Sequence, residues 1–126
     1  MVDAVVVDSY RAKLAENLKS GNSLPKASYI QVGSGGHNAT TLMASTFSAD
    51  TKKLVSPHDK HFAITPTVAD KVFTAKATIE ESDLVGKYLS EAGLFDEDGN
   101  LIAYKTFSYQ MKDGSDTVVI QLVVNF

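Results

Sequence analysis

The chain reads as a mainly β protein, an antiparallel β-sandwich or meander with one N-terminal α-helix packed on it. Three observations predict this. Apolar and polar residues alternate with a period of two in several segments between Ala27 and Phe126. The pairs Asp98-Gly99 and Asp113-Gly114 punctuate the second half as tight turns do. A helical pattern stands near the start, where Tyr10, Leu14 and Leu18 recur at four-residue spacing with Ala15 beside them and Arg11, Lys13, Glu16 and Lys19 fall elsewhere.

The helix spans about 8–20. Asp8 or Ser9 can cap its first free N–H groups, Gly21 can take the left-handed C-terminal position, and Pro25 bars continuation. A strand follows over Ala27–Gly33, with Ser28, Ile30 and Val32 on one face and Tyr29 and Gln31 on the other. It runs into Gly33-Ser34-Gly35-Gly36, and the pattern then dissolves over a long excursion, about 34–60. A short edge strand is expected over His61–Thr65 and a longer one over Val68–Ile79. Tyr88–Asp96, Leu101–Gln110 and Thr117–Phe126 form a meander, about 88–126. A single domain, 1–126, accounts for the chain.

Composition narrows the function classes. With 126 residues, 44% hydrophobic and 21% charged, the chain can bury a core of ordinary size. A net charge of −3 provides no basic footprint, so no nucleic-acid partner is expected. No run approaches the roughly 18 apolar residues that span a bilayer, so no membrane insertion is expected. The opening Met1–Asp8 lacks a signal peptide's basic region, and synthesis in a cytoplasm follows. Cysteine is absent, which removes disulfides and thiol chemistry.

Candidate chemistry is thin. Gly33-Ser34-Gly35-Gly36 lacks the Lys-Ser/Thr ending of a phosphate loop and reads as a turn. His58 and His61 flank Asp59 at a metal-compatible spacing, yet Pro57 precedes them and no third ligand can be named; only oligomeric symmetry could gather them with His37. Asp96, Asp98 and Asn100 begin like a calcium loop, but the glycine arrives too early and Phe107 stands where a glutamate belongs. No nucleophile–base arrangement can be assembled. The expectation is no catalytic residue, no cofactor and no metal, hence no enzyme. Tyr104, Phe107 and Tyr109 could stack on a sugar, although alternation puts Tyr104 on the opposite face.

Glu91 stands out physically. Strict alternation places it beside Leu89, Gly93 and Phe95, opposite Ser90, Ala92 and Leu94. On a buried face its carboxylate needs a partner. The first amides of the loop after Gly33 are candidates, which would make Glu91 a clasp between meander and glycine loop. An ion pair at a subunit interface and simple solvent exposure are the alternatives.

Glu91-Ala92-Gly93-Leu94-Phe95-Asp96, then Gly99, then Leu101-Ile102-Ala103, resembles the signature of phage tail fibre and tail-collar fibre N-terminal, baseplate-attachment domains. Tyr29–Gly36 is similar to that family's strand ending in a glycine-rich turn, and the helix ending at Ser20-Gly21 to its opening helix. The stretches Thr40–Thr46 and 50–60 fit no family pattern. The resemblance implies a structural virion component that attaches a tail fibre to the baseplate or collar, or forms part of the baseplate. Its partners would be baseplate or tail-tip proteins and further copies of itself, a homo-oligomer and by family analogy a trimer. It leaves open whether the chain is part of a longer fibre. The fold-defining clasp would comprise Gly33, Gly35, Gly36, Glu91, Gly93, Leu94 and Phe95, and the docking surface Leu42, Met43 and Phe47. The alternative from a different class is a small carbohydrate-binding β-sandwich module for host-surface recognition, which the absence of tryptophan disfavours.

Overall fold

The computed structural model describes residues 4–38, 40–41, 44 and 48–126. Their order is β1 (Val5–Val6), α1 (Asp8–Ser20), β2 (Ala27–Gly33), β3 (Pro57–Ala63), β4 (Thr65–Ala69), β5 (Val72–Ile79), β6 (Tyr88–Asp96), β7 (Leu101–Met111) and β8 (Val118–Asn125). Two antiparallel sheets result, one of five strands in the order β1-β7-β6-β2-β3 and one of three in the order β4-β5-β8. The expected mainly β architecture with one N-terminal helix is therefore present.

The core between the sheets follows from alternation. Ala75, Ala77 and Ile79 of β5 and Ile120, Leu122 and Val124 of β8 are buried against Ile30, Val32, Ala92, Leu94 and Ile102 of the larger sheet. Their neighbours Lys76, Thr78 and Val119 are exposed, as a two-residue period on a sheet with one wet face requires. β6 differs: every residue from Leu89 to Asp96 is buried. It is the middle strand of five, and both of its faces are covered. A second apolar cluster of Val7, Leu54, Phe95, Leu101 and Tyr104 lies on the side away from the small sheet, with Leu54 supplied by the excursion.

Several sequence expectations are corrected. The segment 68–79 is two strands, not one, because Asp70 adopts φ 57° and turns β4 back onto β5, with Ala69 opposite Val72. Aspartate tolerates this left-handed conformation better than most residues. The edge strand begins at Pro57 instead of His61, so the excursion ends at Ser56. Thr117–Phe126 does not continue the meander. β8 leaves β7 and pairs along its length with β5, from Val72↔Asn125 to Ile79↔Val118. The Asp98-Gly99 turn is a hairpin as expected, with Gly99 at φ 82° and its N–H donating to Asp96 O at 3.0 Å. Asp113 instead makes a local turn in which its Oδ1 accepts the Ser115 N–H at 2.9 Å.

The helix lies where expected but packs lightly. Gly21 closes it at φ 71°, while Val7, not Asp8 or Ser9, is its N-cap, and no side chain caps it. None of its residues is buried, and Leu18 is 88% exposed. Contact comes through the half-buried face of Tyr10, Lys13, Leu14 and Asn17. Lys13 Nζ reaches the buried Asp96 Oδ2 at 3.3 Å, which ties the helix to the β6–β7 hairpin.

These differences set a contrast that urea denaturation can read. Leu122→Ala should cost about 3 kcal/mol, the usual loss for a leucine deleted from a packed core. Leu18→Ala should change stability by less than about 0.5 kcal/mol, as at any exposed position.

Candidate functional site

The return limb of the excursion, 48–56, is fastened to the outer side of the five-stranded sheet at four places. Asp8 N–H donates to Ala49 O at 2.6 Å where the helix begins. The Tyr104 hydroxyl accepts the Ser48 N–H at 2.7 Å and lies 2.8 Å from Thr51 Oγ1. Leu54 fills the second apolar cluster. Beyond it, the Val55 N–H donates to Glu91 Oε2 at 3.0 Å and the Ser56 N–H to Glu91 Oε1 at 2.8 Å.

Glu91 is 1% exposed, and both of its carboxylate oxygens accept from backbone amides. Charge-assisted bonds of this kind are the strong class, and they offset the desolvation of the carboxylate. The amides belong to the far end of the excursion, however, and not to the first residues after Gly33. Alternation within β6 also fails at this point. The ladder to β7 shifts between Leu89↔Gln110 and Glu91↔Thr106, so Leu89 joins the intersheet core while Glu91 turns toward the excursion. A bulge is the ordinary means by which a strand redirects one side chain.

The glycines are there because the chains approach closely. A Cβ on Gly33 would meet Glu91 Oε1, Ser56 O at 2.5 Å and Pro57 Cα at 2.9 Å. One on Gly36 would strike the Ser90 carbonyl. Gly36 instead places its N–H 2.9 Å from Ser90 Oγ, which also lies 2.8 Å from His37 Nδ1. Ser90 is fully buried, and sequence reasoning passed over it because serine in a strand carries no distinctive signal. Gly35 packs against Val55, and Gly93 leaves room for Leu101, Phe95 and Leu54.

The structure thus brings Gly33, Gly35, Gly36 and Glu91 together around Val55 and Ser56, with Gly93 and Phe95 in the adjoining apolar cluster. Leu94 faces the opposite way, into the intersheet core. Leu42, Met43 and Phe47 lie outside the described residues. His58 Nε2 sits 2.9 Å from Tyr88 O, and the exposed His61 stacks on Tyr29 at 3.9 Å, which in turn stacks on Phe95 at 5.1 Å. Among the described residues no group of three or more metal-ligating side chains converges. Of the three aromatics considered for sugar stacking, Tyr104 is buried beneath the excursion, Phe107 packs on the core, and Tyr109 pairs with Tyr88 at 4.4 Å and with His37 at 5.0 Å.

Two predictions follow from this geometry. Glu91→Gln leaves one of the two amides without its carboxylate oxygen, and should lower stability in urea by about 2 kcal/mol while hydrogen exchange at Val55 and Ser56 accelerates. Tyr109 provides the second. Its hydrogen bond with Tyr88, aided by burial, pushes its phenol up to about 12. Because the folded value lies above the ordinary value of 10.0, the associated stability is present below that pH and is lost as pH rises toward 12. Burial, with Asp96 nearby, also raises Tyr10 and Tyr29, so ultraviolet titration should show several late-ionising phenols, of which Tyr88→Phe returns Tyr109 toward the ordinary range.

No protein-family model matches the chain, and no curated protein sequence matches it either.

Proposed function

We propose that this chain is a structural, non-catalytic component of a phage or phage-like tail, attaching a fibre to the baseplate or collar or forming part of the baseplate. The observation that carries this reading is that the segment resembling the attachment-domain signature, Glu91–Ala103, is also the segment on which the fold is built. It supplies the central, doubly covered strand β6, the Asp98-Gly99 hairpin and the start of β7. A signature confined to an exposed loop would be far weaker support, since loops vary freely.

The physical logic of docking agrees with this reading. An attachment module has to present a surface whose shape is set before its partner arrives, because ordering a loop on binding costs affinity. The return limb of the excursion is held in that way by Glu91, Tyr104 and Leu54. The cost of ordering a loose loop is thereby avoided on the side of the sheet opposite the small sheet. In this reading the chain works beside tail-tip or baseplate proteins and as one of several identical copies, a trimer by analogy with fibres. No helix among the described residues is long and apolar enough to cross a membrane.

Immunogold electron microscopy tests the proposal, using antibody against the purified chain and particles recovered from the cells that encode it. Label at the tail tip, collar or baseplate is expected. Labelled protein that remains in the soluble fraction while intact particles stay bare would overturn it.

A further inference from the structure

At one end of the sandwich the two sheets and the helix leave a cavity of about 260 Å³ between them. Leu94 of β6, Ile102 of β7 and Val124 of β8 close it toward the core and are themselves buried. Tyr10 of α1, Phe73 of β5 and Phe126 form its partly exposed walls, with the Tyr10 and Phe126 rings 6.4 Å apart and tilted by 50°. Backbone bonds hold the rim. The Phe126 N–H donates to Lys71 O at 3.0 Å, the Glu97 N–H to Lys26 O at 3.1 Å, and the Lys26 N–H to Glu97 Oε1 at 3.1 Å. Every lining residue is among those described. Val5 sits opposite Tyr104 and Val6 opposite Ala103, so Ala4 lies beyond Tyr104, on the side away from Ile102 and the cavity.

Size and charge say what such a cavity suits. Ligand sites in proteins start near roughly 300 Å³, and an apolar cavity of about 150 Å³ already admits benzene. The volume here therefore holds one ring with a short chain and nothing much larger. Aromatic walls favour a ring, which they can meet edge to face. Lys26 is the one charged residue in the lining, and among the described residues its ammonium has no ion-pair or hydrogen-bond partner. The anions close by are already engaged: Asp96 by Lys13 and the Asp98 and Asn100 amides, Glu97 by the Lys26 N–H. A free cation at the mouth of an apolar cavity is complementary to a carboxylate on an apolar body. The helix above has no buried residue, so a guest beneath Tyr10 would also widen its thin contact with the sheets.

We infer that the cavity between α1 and the ends of the two sheets binds a small carboxylate that carries one aromatic ring on a short chain. The ring lies among Tyr10, Phe73 and Phe126 against the aliphatic side chains of Leu94, Ile102 and Val124, and the carboxylate meets Lys26 at the mouth. Apolar burial supplies most of the affinity, and the exposed ion pair supplies the preference among ligands of the same shape. The inference is independent of the tail reading, since neither its site nor its ligand enters that reading.

The test is titration of the isotope-labelled protein with 3-phenylpropionate, followed by NMR. Saturable binding with Kd below about 1 mM is expected, with the largest shifts at the Tyr10, Phe73 and Phe126 rings and the Leu94, Ile102 and Val124 methyls. The neutral 3-phenylpropanamide should bind about fivefold more weakly, and propionate, which lacks the ring, should not saturate. Both comparisons change only the ligand and leave the protein's folding untouched. Lys26→Gln, at an exposed side chain, should remove the preference for the carboxylate over the amide. Absence of saturation, shifts elsewhere, or equal affinity of acid and amide for the unaltered protein would overturn the inference. So would binding of propionate as tight as that of the ring compound, or a preference for the acid that survives Lys26→Gln. The same shifts on raising the protein concentration alone would make a second copy the occupant and overturn it equally.

Discussion

One buried carboxylate, Glu91, sets the conditions under which the rest of the molecule can pack. It lies in the middle of the larger sheet, where an unpartnered charge would cost several kcal/mol, about the whole margin of a small domain. Its two oxygens accept from the Val55 and Ser56 amides. Those amides reach it only because Gly33 and Gly36 have no side chains and the excursion comes back across the sheet. The return in turn lets Leu54 cover Phe95, Leu101 and Tyr104, which would otherwise face water. A single polar requirement thus fixes the position of a long loop and closes the second apolar layer.

The same device explains the unusual composition of β6. A strand wet on one face alternates; β6 is buried on both and reads Tyr-Leu-Ser-Glu-Ala-Gly-Leu-Phe-Asp. Its polar members are each spoken for. Ser90 Oγ meets Gly36 and His37, and Asp96 accepts the Asp98 and Asn100 amides while facing Lys13. Lys112, also buried, donates to the Glu81 and Asp113 carbonyls and joins the β5–β6 connection to the turn after β7. Among the described residues no buried side-chain polar atom lacks a partner. Interiors of this kind owe their definition to satisfied polar groups as much as to apolar fit.

What could be read in the sequence was local. The helix over 8–20, the strand over Ala27–Gly33, the Asp98-Gly99 hairpin and the alternation of Ala75, Ala77 and Ile79 all depend on neighbours a few residues away. That Glu91 needed a partner was legible too, because charge on an apolar face is a local contradiction. Which amides supply it was not, since Ser56 lies 35 positions away and nothing near it announces the contact. The crossing of β8 to the other sheet was equally hidden. Asp113-Gly114 looks like the turn of a hairpin, and only long-range pairing with β5 decides otherwise. The bulge that separates Leu89 from Glu91 defeated strict alternation at the one place where it mattered most.

The clasp also bears on the order in which the molecule can assemble. β6 and β7 meet through a turn of a few residues, and closing so short a loop is fast and costs little entropy. Gly36 meets Ser90 across 54 positions, and both limbs of the excursion must be in place before Glu91 finds its two amides. Long closures of that kind slow folding, and the sheet has to exist before they are rewarded. The carboxylate is therefore a checkpoint: a chain that has formed its hairpin but misplaced the excursion carries a bare charge at the centre of its sheet, and has every energetic reason to open and try again.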